Sequence, residues 1–436
     1  MSRPPPPGTP DAIIHDVCYD FYGQRVATCS SDQMIRVFDA RSGNKQAEWR
    51  AHTGSIHRLS WAHPEFGVAL ASCSFDRKIC IWEETMDSEE VAVAGSPVRM
   101  TPWFKAAEIS DARDTVVDVQ FAPHHMGVRL ASCGADGMVR VHEAADVLDL
   151  TKWDLHSEMD VSAAAAESTA EVRDARANAV AQHAMTSAAE RGGSGPLMGT
   201  ARMPTTNSTQ QLPVRPGEGG GGIGGGQSGG SAGIGSGGLG VSSDSLSLGG
   251  VGGPDSGHTA EPLCLAWSMS ISDAPMIAVG VADGGVQLWR FEERRDAWTR
   301  TRAFEAAFPG GRCHADCVRS ISWAADMGRS YQLLATGSRD KTVKLWALQR
   351  AAAADMDETG GAGGAEAESA VDGGGEWSAA CCAELAHRCQ VWRVAWNAAG
   401  SMLASSEDDG TVKVFQMDGD GAWRQATPTP MTLPPV

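Results

Sequence analysis

The sequence has no long hydrophobic run. No stretch of about 20 apolar residues occurs among its 436 residues, so no transmembrane helix is predicted. The first eleven residues, MSRPPPPGTPD, lack the apolar core of a signal peptide, and we expect no secretion signal. Basic residues are scarce too, with 36 Lys and Arg against 54 Asp and Glu and a net charge of −18. This balance argues against direct binding of nucleic acid, which needs clustered Lys and Arg.

Sequence motifs of catalysis and metal binding are also missing. The eleven cysteines have no regular spacing, which favours free thiols in a reducing compartment, the cytosol or nucleus. The Cys and His residues within 313–317 and 381–389 match no common zinc module. No Gly-x-Ser-x-Gly occurs, and no Gly-Lys-Ser or Gly-Lys-Thr follows the glycine-rich tract. We therefore expect a protein that is not an enzyme and has no metal site and no cofactor.

The chain does contain a repeat. In LASCSFDRKICIW (70–82), Asp76 is followed six residues later by Trp82, and this spacing occurs six times. The six pairs are Asp32/Phe38, Asp76/Trp82, Asp136/His142, Asp283/Trp289, Asp340/Trp346 and Asp409/Phe415. A short apolar run precedes each Asp, and an aromatic residue stands 13 to 17 positions before it. The first step, 76 − 32 = 44 residues, fits the ~40–45 residues of a WD repeat.

Each repeat predicts a small antiparallel sheet. HRLSWA (57–62) and KICIW (78–82) alternate apolar and polar residues, which is typical of strands. The Asp falls in the turn between two strands, where its carboxylate can accept backbone N–H bonds, and the aromatic residue ends the following strand. Such sheets bury their faces only when stacked radially. The prediction is an all-β, six-bladed WD-repeat propeller in which these positions are structural.

Composition divides the chain further. Residues 161–260 contain no Phe, Trp, Tyr or Cys, and their second part is glycine-rich, so they cannot bury enough apolar area to offset the entropy of ordering. We predict blades 1–3 over 11–160, a disordered Ala-, Gly- and Ser-rich insertion over 161–257, and blades 4–6 over 258–425. A low-complexity loop is expected near 350–376, with a Pro-rich tail at 1–10 and a second tail at 426–436.

The ring is predicted to be open. The first repeat begins near Ala12, and the prolines before it lack the N–H groups that a ladder strand needs. After Phe415 the sequence suffices for only one more outer strand. Apolar residues of blades 1 and 6 would then be uncovered and are the candidate partner-binding positions: Ile13, Ile14, Val17, Val412 and Val414. A partner that inserts strands would cover them. The alternative is a six-bladed ring that closes by simple contact.

Several segments resemble one family of propellers. IHDVCYDFYGQRVATCSSDQMIRVFD (14–39), WAHPEFGVALASCSFDRKICIWEE (61–84) and QVWRVAWNAAGSMLASSEDDGTVKVF (390–415) are similar to the Seh-type nucleoporins. These are the small WD-repeat subunits of the Y-shaped complex in the outer ring of the nuclear pore. HPEFG and ASCSFD are also similar to the small propeller of the COPII vesicle coat. HHMG, EAADVLDLTKW and GRSY resemble the nucleoporin.

The resemblance implies a non-enzymatic scaffold at the nuclear envelope. Its implied partners are an α-helical scaffold nucleoporin that donates a propeller blade, and other Y-complex subunits. A second pool in the GATOR nutrient-signalling assembly, at the lysosome or vacuole, is implied as well. One alternative is the COPII coat subunit. Another is a substrate receptor of cullin-type ubiquitin ligases, because VFDAR (37–41) resembles the Trp-Asp-x-Arg box of those propellers.

Overall fold

The computed structural model describes residues 12–85, 89–93, 96–100, 103–147, 149–164, 261–305, 307–308, 311–350 and 377–426. These residues form six four-stranded antiparallel sheets, each with its strands in sequence order from one edge to the other. The six sheets are the blades of a propeller, so the predicted all-β, six-bladed fold is confirmed. The first strand of each blade contacts the first strand of the next and is called the inner strand below.

The first three blades use residues 14–160. Blade 1 consists of β1 (Ile14–Tyr19), β2 (Arg25–Ser30), β3 (Met34–Asp39) and β4 (Lys45–Arg50). Blade 2 begins with β5 (Ile56–Trp61), β6 (Ala69–Ser74) and β7 (Ile79–Glu84), which are followed by a separate hairpin of β8 (Glu89–Val93) and β9 (Ser96–Met100) and then by the outer strand β10 (Trp103–Ile109). Blade 3 consists of β11 (Val116–Phe121), β12 (Arg129–Gly134), β13 (Met138–Asp146) and β14 (Asp149–Asp160).

The last three blades use residues 262–425. Blade 4 consists of β15 (Pro262–Trp267), β16 (Met276–Val281), β17 (Val286–Glu292) and β18 (Ala297–Thr301). Blade 5 consists of β19 (Val318–Trp323), β20 (Gln332–Ser338), β21 (Thr342–Arg350) and β22 (Trp377–Ala386). Blade 6 consists of β23 (Val391–Trp396), β24 (Met402–Glu407), β25 (Val412–Met417) and β26 (Trp423–Gln425).

The repeated Asp stands in the turn between the second and third strands of every blade. The residue after it always has a positive φ, a conformation in which glycine avoids a steric penalty. This residue is Gln33, Arg77, Gly137, Gly284, Lys341 or Gly410. In three blades a non-glycine residue therefore accepts the left-handed conformation, and the Asp carboxylate holds the turn by accepting the N–H two residues later, as Asp76 does from Lys78 at 3.1 Å.

The hydrophobic core lies between the blades. Five clusters of buried apolar residues occur, one at each junction of successive blades from 1–2 to 5–6. At the first junction, for example, Ile35 and Val37 of blade 1 pack with Ile56 and Leu59 of blade 2. No such cluster joins blade 6 to blade 1 within the described residues. The blades therefore depend on their neighbours in sequence for burial.

The predicted insertion and the low-complexity loop lie almost entirely outside the described residues. Residues 161–164, which composition assigns to the insertion, form one helical turn after blade 3. Val161 and Ala164 in this turn are buried with residues of blades 3 and 4. The part of the chain that packs on the propeller thus extends four residues beyond the predicted boundary. Among the helices that the structure describes, none has the length and apolar character needed to cross a membrane.

Candidate partner-binding site: the gap between blades 6 and 1

The inner strand of blade 1 is uncovered on the side that faces the preceding blade. The first residue of an inner strand normally packs on that preceding blade. The exposed fraction of this residue is at most 1% for Ile56, Val116, Val318 and Val391. Ile14 has the same position in blade 1, and 58% of it is exposed. Since all five residues are β-branched and apolar, the missing neighbour accounts for the difference.

Two further positions of this strand repeat the contrast. The fourth residue of the inner strand is buried at Leu59 and Val119, whereas 52% of Val17 is exposed. At the sixth position Trp267 is buried and Tyr19 is exposed. Ile13, one residue before the strand, is exposed as well, although its N–H donates to the Ser31 hydroxyl at 3.0 Å.

The opposite side of the gap is formed by the third strand of blade 6. Three residues after the repeated Asp, this strand packs on the following blade: Ile35, Ile79, Val139, Val286 and Val343 are at most 2% exposed. Val412 has this position in blade 6, and 63% of it is exposed. Two residues later Val414 is half-buried, whereas its equivalent Val37 is buried.

These residues face each other across an open ring. No strand of blade 1 pairs with a strand of blade 6 in the part of the chain that the structure describes. We call the two surfaces the blade-1 face (Ile13, Ile14, Val17 and Tyr19) and the blade-6 face (Val412 and Val414). All five candidate partner-binding residues predicted from the sequence lie on them. Exposed apolar faces beside unpaired blades are typical of surfaces that bind another chain.

Closed junctions show which contacts the gap lacks. Side chains of one inner strand accept N–H groups of the next: Leu59 donates to Asp16 Oδ2 at 2.9 Å, and Val394 donates to Ser320 Oγ at 3.1 Å. The aromatic residue at the sixth position donates its indole N–H to a carbonyl of the preceding inner strand. These bonds join Trp61 to Cys18 (3.3 Å), Trp267 to Gln120 (3.1 Å) and Trp396 to Ser322 (3.0 Å).

Charged side chains meet at the axis, in a cavity of about 540 Å³. Arg58 Nε lies 3.6 Å from Asp118 Oδ1, and Arg393 reaches across the gap to the carboxylate of Asp16. Burial raises the pKa of Asp16 and of Asp118, and the Arg58 charge opposes both shifts. Burial also disfavours the charge of Arg58, but Asp118 and Asp16 outweigh it and raise its pKa. The pair of Arg393 and Asp16 is a polar link at the axis between the two sides of the gap.

In blades 2 and 5 the repeated Asp and the repeated Trp belong to one hydrogen-bond network, which a buried histidine completes. In blade 2, His52 Nδ1 lies 3.0 Å from Asp76, and its Nε2 lies 2.8 Å from Ser72 Oγ. The Ser72 hydroxyl also accepts the indole N–H of Trp82 at 2.9 Å. This chain joins the turn to the middle of the sheet, which explains why the aromatic residue stands six positions after the Asp.

Blade 5 has the same arrangement. His314 lies 2.9 Å from Asp340 and 2.7 Å from Thr336, whose hydroxyl accepts the Trp346 indole at 2.9 Å. Both ring nitrogens of His314 are thus engaged within the blade. Sequence reasoning missed these histidines, although each precedes its Asp by a similar interval, 76 − 52 = 24 and 340 − 314 = 26 residues.

The other four blades hold the turn with different partners. Asp32 pairs with Arg36 at 2.6 Å and Asp136 with Arg140 at 2.8 Å. Phe38 and Phe415 replace the Trp in blades 1 and 6. Asp283 accepts the Gly285 N–H at 2.9 Å, and Trp289 donates to Gln287 at 3.2 Å.

Blade 6 differs most. Asp409 accepts the Thr411 N–H, while Glu407 accepts those of Arg388 and Cys389. Glu407, which the repeat pattern did not single out, therefore has part of the role of Asp76.

The short motif VFDAR is part of an ordinary turn. Asp39 accepts the backbone N–H groups of Arg41 (3.1 Å) and Ser42 (2.7 Å) between β3 and β4. These bonds lower the pKa of its carboxyl group, the Ser42 N–H first and the Ser42 hydroxyl next. The geometry accounts for the Asp without a binding role.

A family model and several known proteins are similar to this chain. The family model described as WD domain, G-beta repeat matches residues 7–39, 43–83, 309–347 and 379–416. Nucleoporin SEH1-A of Xenopus laevis is 30% identical over 94% of this chain and 84% of its own length. Nucleoporin SEH1 of Homo sapiens is 29% identical over the same shares. A chain in the crystal structure of the mitotic checkpoint complex aligns with 94% of this chain and 76% of its own length, at 12% identity and a TM-score of 0.49.

Identity and coverage at this level, together with six blades built on the WD pattern, identify the family. The chain belongs to the SEH1 nucleoporins, a family of WD-repeat propellers.

Proposed function

We propose that this protein is a non-enzymatic scaffold subunit of the Y-shaped complex in the outer ring of the nuclear pore. In this proposal it binds an α-helical scaffold nucleoporin, which inserts strands between blades 6 and 1 as a seventh blade. The observation that carries the proposal is the pair of uncovered faces. Ile14 is exposed, whereas the equivalent residues Ile56, Val116, Val318 and Val391 are buried. Val412 is also exposed, whereas the equivalent residue is buried in each of the other five blades.

Strand insertion would satisfy both faces at once. An added blade would cover Ile14 and Val17 from one side and Val412 and Val414 from the other, as each blade does for its neighbours. Main-chain hydrogen bonds within the added blade and apolar contacts on its two faces are the usual ingredients of β-addition. Because two blade surfaces are buried on each partner, we expect an interface above about 2,000 Å², the size class of obligate complexes.

The network around the repeated Asp residues supports a scaffold and not an enzyme. The pairs of His52 with Asp76 and of His314 with Asp340 have the residue types of a general-base dyad. Both histidines are buried, and each donates or accepts within its own blade at both ring nitrogens. They stabilise turns and are not directed at a substrate cavity.

The relatives favour the nuclear pore over the alternatives. The two curated relatives described above are SEH1 nucleoporins that align with 94% of this chain, which supports the nucleoporin over the COPII coat subunit. The hydrogen bonds that Asp39 accepts explain this residue as part of a turn, so its geometry adds no support for a cullin-ligase receptor. The proposed location is the nuclear envelope. A pool in the GATOR assembly at the lysosome or vacuole would use the same gap, so the two partners would compete for one site.

Affinity purification with the full chain as bait tests the proposal. The wild-type chain should retain an α-helical nucleoporin and locate to the nuclear rim. Val412→Asp should lose that partner, because a carboxylate would be buried opposite apolar strands. Val68→Asp is the matched control, since Val68 is an exposed valine on blade 2 away from the gap. Retention of the nucleoporin by Val412→Asp would contradict insertion at the gap, and location at ER exit sites would favour the coat subunit.

A further inference from the structure

The third position of the inner strand brings six side chains together at the axis of the propeller. They are Asp16, Arg58, Asp118, Cys264, Ser320 and Arg393. The set contains two carboxylates, two guanidinium groups, a thiol and a hydroxyl. Burial raises the pKa of the Cys264 thiol well above its usual value, so this thiol is neutral. The formal charges of the two acids and the two arginines cancel, so these six positions carry no formal net charge.

Neighbouring blades pair their charges at this position. Arg58 of blade 2 faces Asp118 of blade 3, with Nε and Oδ1 3.6 Å apart. Asp16 also accepts the backbone N–H of Leu59, and Asp118 accepts that of Leu265. The side chains of Asp16 and Asp118 are buried, so both carboxylates depend on these contacts for their polar partners.

Arg393 differs from Arg58 because its partner lies across the gap. It has the position of Arg58 in the last blade, and its next neighbour in the ring is the gap. Its guanidinium group crosses the gap to Asp16 of blade 1. A strand inserted between blades 6 and 1 would place its own third side chain between these two groups or directly beside them. The pair of Arg393 and Asp16 is therefore the polar part of the site, whereas the blade-1 and blade-6 faces are apolar.

We infer that Arg393 and Asp16 select an inserted strand with a small, neutral side chain at its third position. This inference rests on the proposed function and specifies the chemistry of the partner. An acidic or basic side chain there would bring a third charge against a pair that is already balanced, at a place that the inserted blade would cover. A buried charge without a compensating partner is strongly unfavourable.

Blade 4 of the chain shows what a matching strand looks like. Its inner strand, Pro262–Trp267, has the neutral Cys264 at the third position and Trp267 at the sixth. Trp267 donates its indole N–H to the carbonyl of Gln120, the fifth residue of the preceding inner strand. Ala395 is the fifth residue of the inner strand of blade 6. A strand of this pattern placed in the gap would reach the Ala395 carbonyl in the same way, and this bond would fix its register.

The test uses the full-length chain and the nucleoporin that co-purifies with it. The chain is wild type, Arg393→Gln, Asp16→Asn or the double variant, and its affinity for the nucleoporin is measured by biolayer interferometry. Because a neutral inserted side chain cannot compensate a charge left alone at the axis, each single variant should bind at least about tenfold more weakly than the wild type.

The decisive result is restoration of binding by the double variant. Arg393→Gln with Asp16→Asn leaves no unbalanced charge of this pair at the gap and should bind within about threefold of the wild type. Loss of folding cannot produce this pattern, because it would be at least as severe in the double variant as in either single variant. If Asp16→Asn binds more tightly than the wild type, the inserted side chain is acidic, and if Arg393→Gln does, it is basic; either result, or wild-type affinity of both single variants, would overturn the inference and leave blade insertion intact. Failure of the wild-type chain to retain any nucleoporin would contradict the proposed function and this inference with it.

Discussion

Replacing Ile14 by aspartate is the sharpest perturbation of the proposed interface. Ile14 is 58% exposed, whereas Ile56 at the same position of blade 2 is 0% exposed. In the isolated chain, Ile14→Asp should therefore change the free energy of unfolding by less than about 0.5 kcal/mol, as is usual for exposed positions. The same substitution at Ile56 should cost more than about 4 kcal/mol, because it places a carboxylate in the core.

The expected effect on the complex follows from the area that insertion would bury. Complete burial of an isoleucine side chain contributes about 1.5–3 kcal/mol, so burial of the exposed 58% of Ile14 should contribute about 1–2 kcal/mol. Ile14→Ala should thus weaken partner binding by about tenfold. Ile14→Asp adds several kcal/mol for an unpaired buried carboxylate, which gives at least about 4 kcal/mol in total, or about a thousandfold.

Two measurements check this prediction. The affinity of each variant for the co-purifying nucleoporin is measured by biolayer interferometry, and the free energy of unfolding is measured by urea titration. Ile271→Asp is the control, because Ile271 is an exposed isoleucine in a loop of blade 4. It should change neither quantity. If Ile14→Asp binds the partner like Ile271→Asp, the blade-1 face is not the interface and the reasoning is wrong.

Three further outcomes are expected. Asp76→Ala should cost about 1–3 kcal/mol of stability at pH 7, because the His52 ring and the turn amides lose their acceptor. Asp409→Ala, at an exposed turn, is the control and should cost less. Thermal and urea unfolding measure both variants. Burial opposes ionisation of Asp76, but its hydrogen bonds outweigh burial and hold its pKa well below the usual range. The stability that the ionised Asp76 contributes is therefore present above about pH 4 and is lost as the pH falls further. The difference in unfolding free energy between the wild type and Asp76→Ala should thus become smaller in acid. Burial lowers the pKa of His57 to about 4, so this group should cost stability as the pH falls from about 6.5 to about 4, and unfolding of His57→Gln over this window should depend less on pH. Deleting residues 165–255 should leave a folded chain with unchanged partner affinity, and aggregation of that deletion would show that the insertion has a structural role.

Much of the fold is encoded locally. Alternation of apolar and polar residues identifies strands such as β5 and β7, and Asp76 is recognisable as a turn residue because only a short polar side chain holds the N–H groups of such a turn. Repetition of this unit six times then predicts stacked blades. The hairpin of β8 and β9 was not predicted, because it is an addition within blade 2 that the repeat spacing does not mark.

The proposed interface was predicted only in part. Ile14 and Ile56 are the same residue at the same position, and nothing local distinguishes them. The sequence singled out Ile14 because the prolines that precede it lack the N–H groups that a ladder strand needs. It gave no sign that Arg393 reaches Asp16, since 377 residues separate them along the chain. The role of His52 was equally hidden, because its partner Ser72 lies in β6 and its partner Asp76 lies in the turn after β6.

By itself, then, the sequence determined the strands, the Asp turns and the number of blades, because these depend on alternation and on hydrogen bonds between residues close in the chain. The tertiary structure decided which apolar residues are covered, which charges pair at the axis, and where the ring stays open. These properties depend on which blade lies next to which, and burial is a property of the neighbour as much as of the residue. Ile56 is in the core because blade 1 precedes it, and Ile14 is exposed because no described blade covers it.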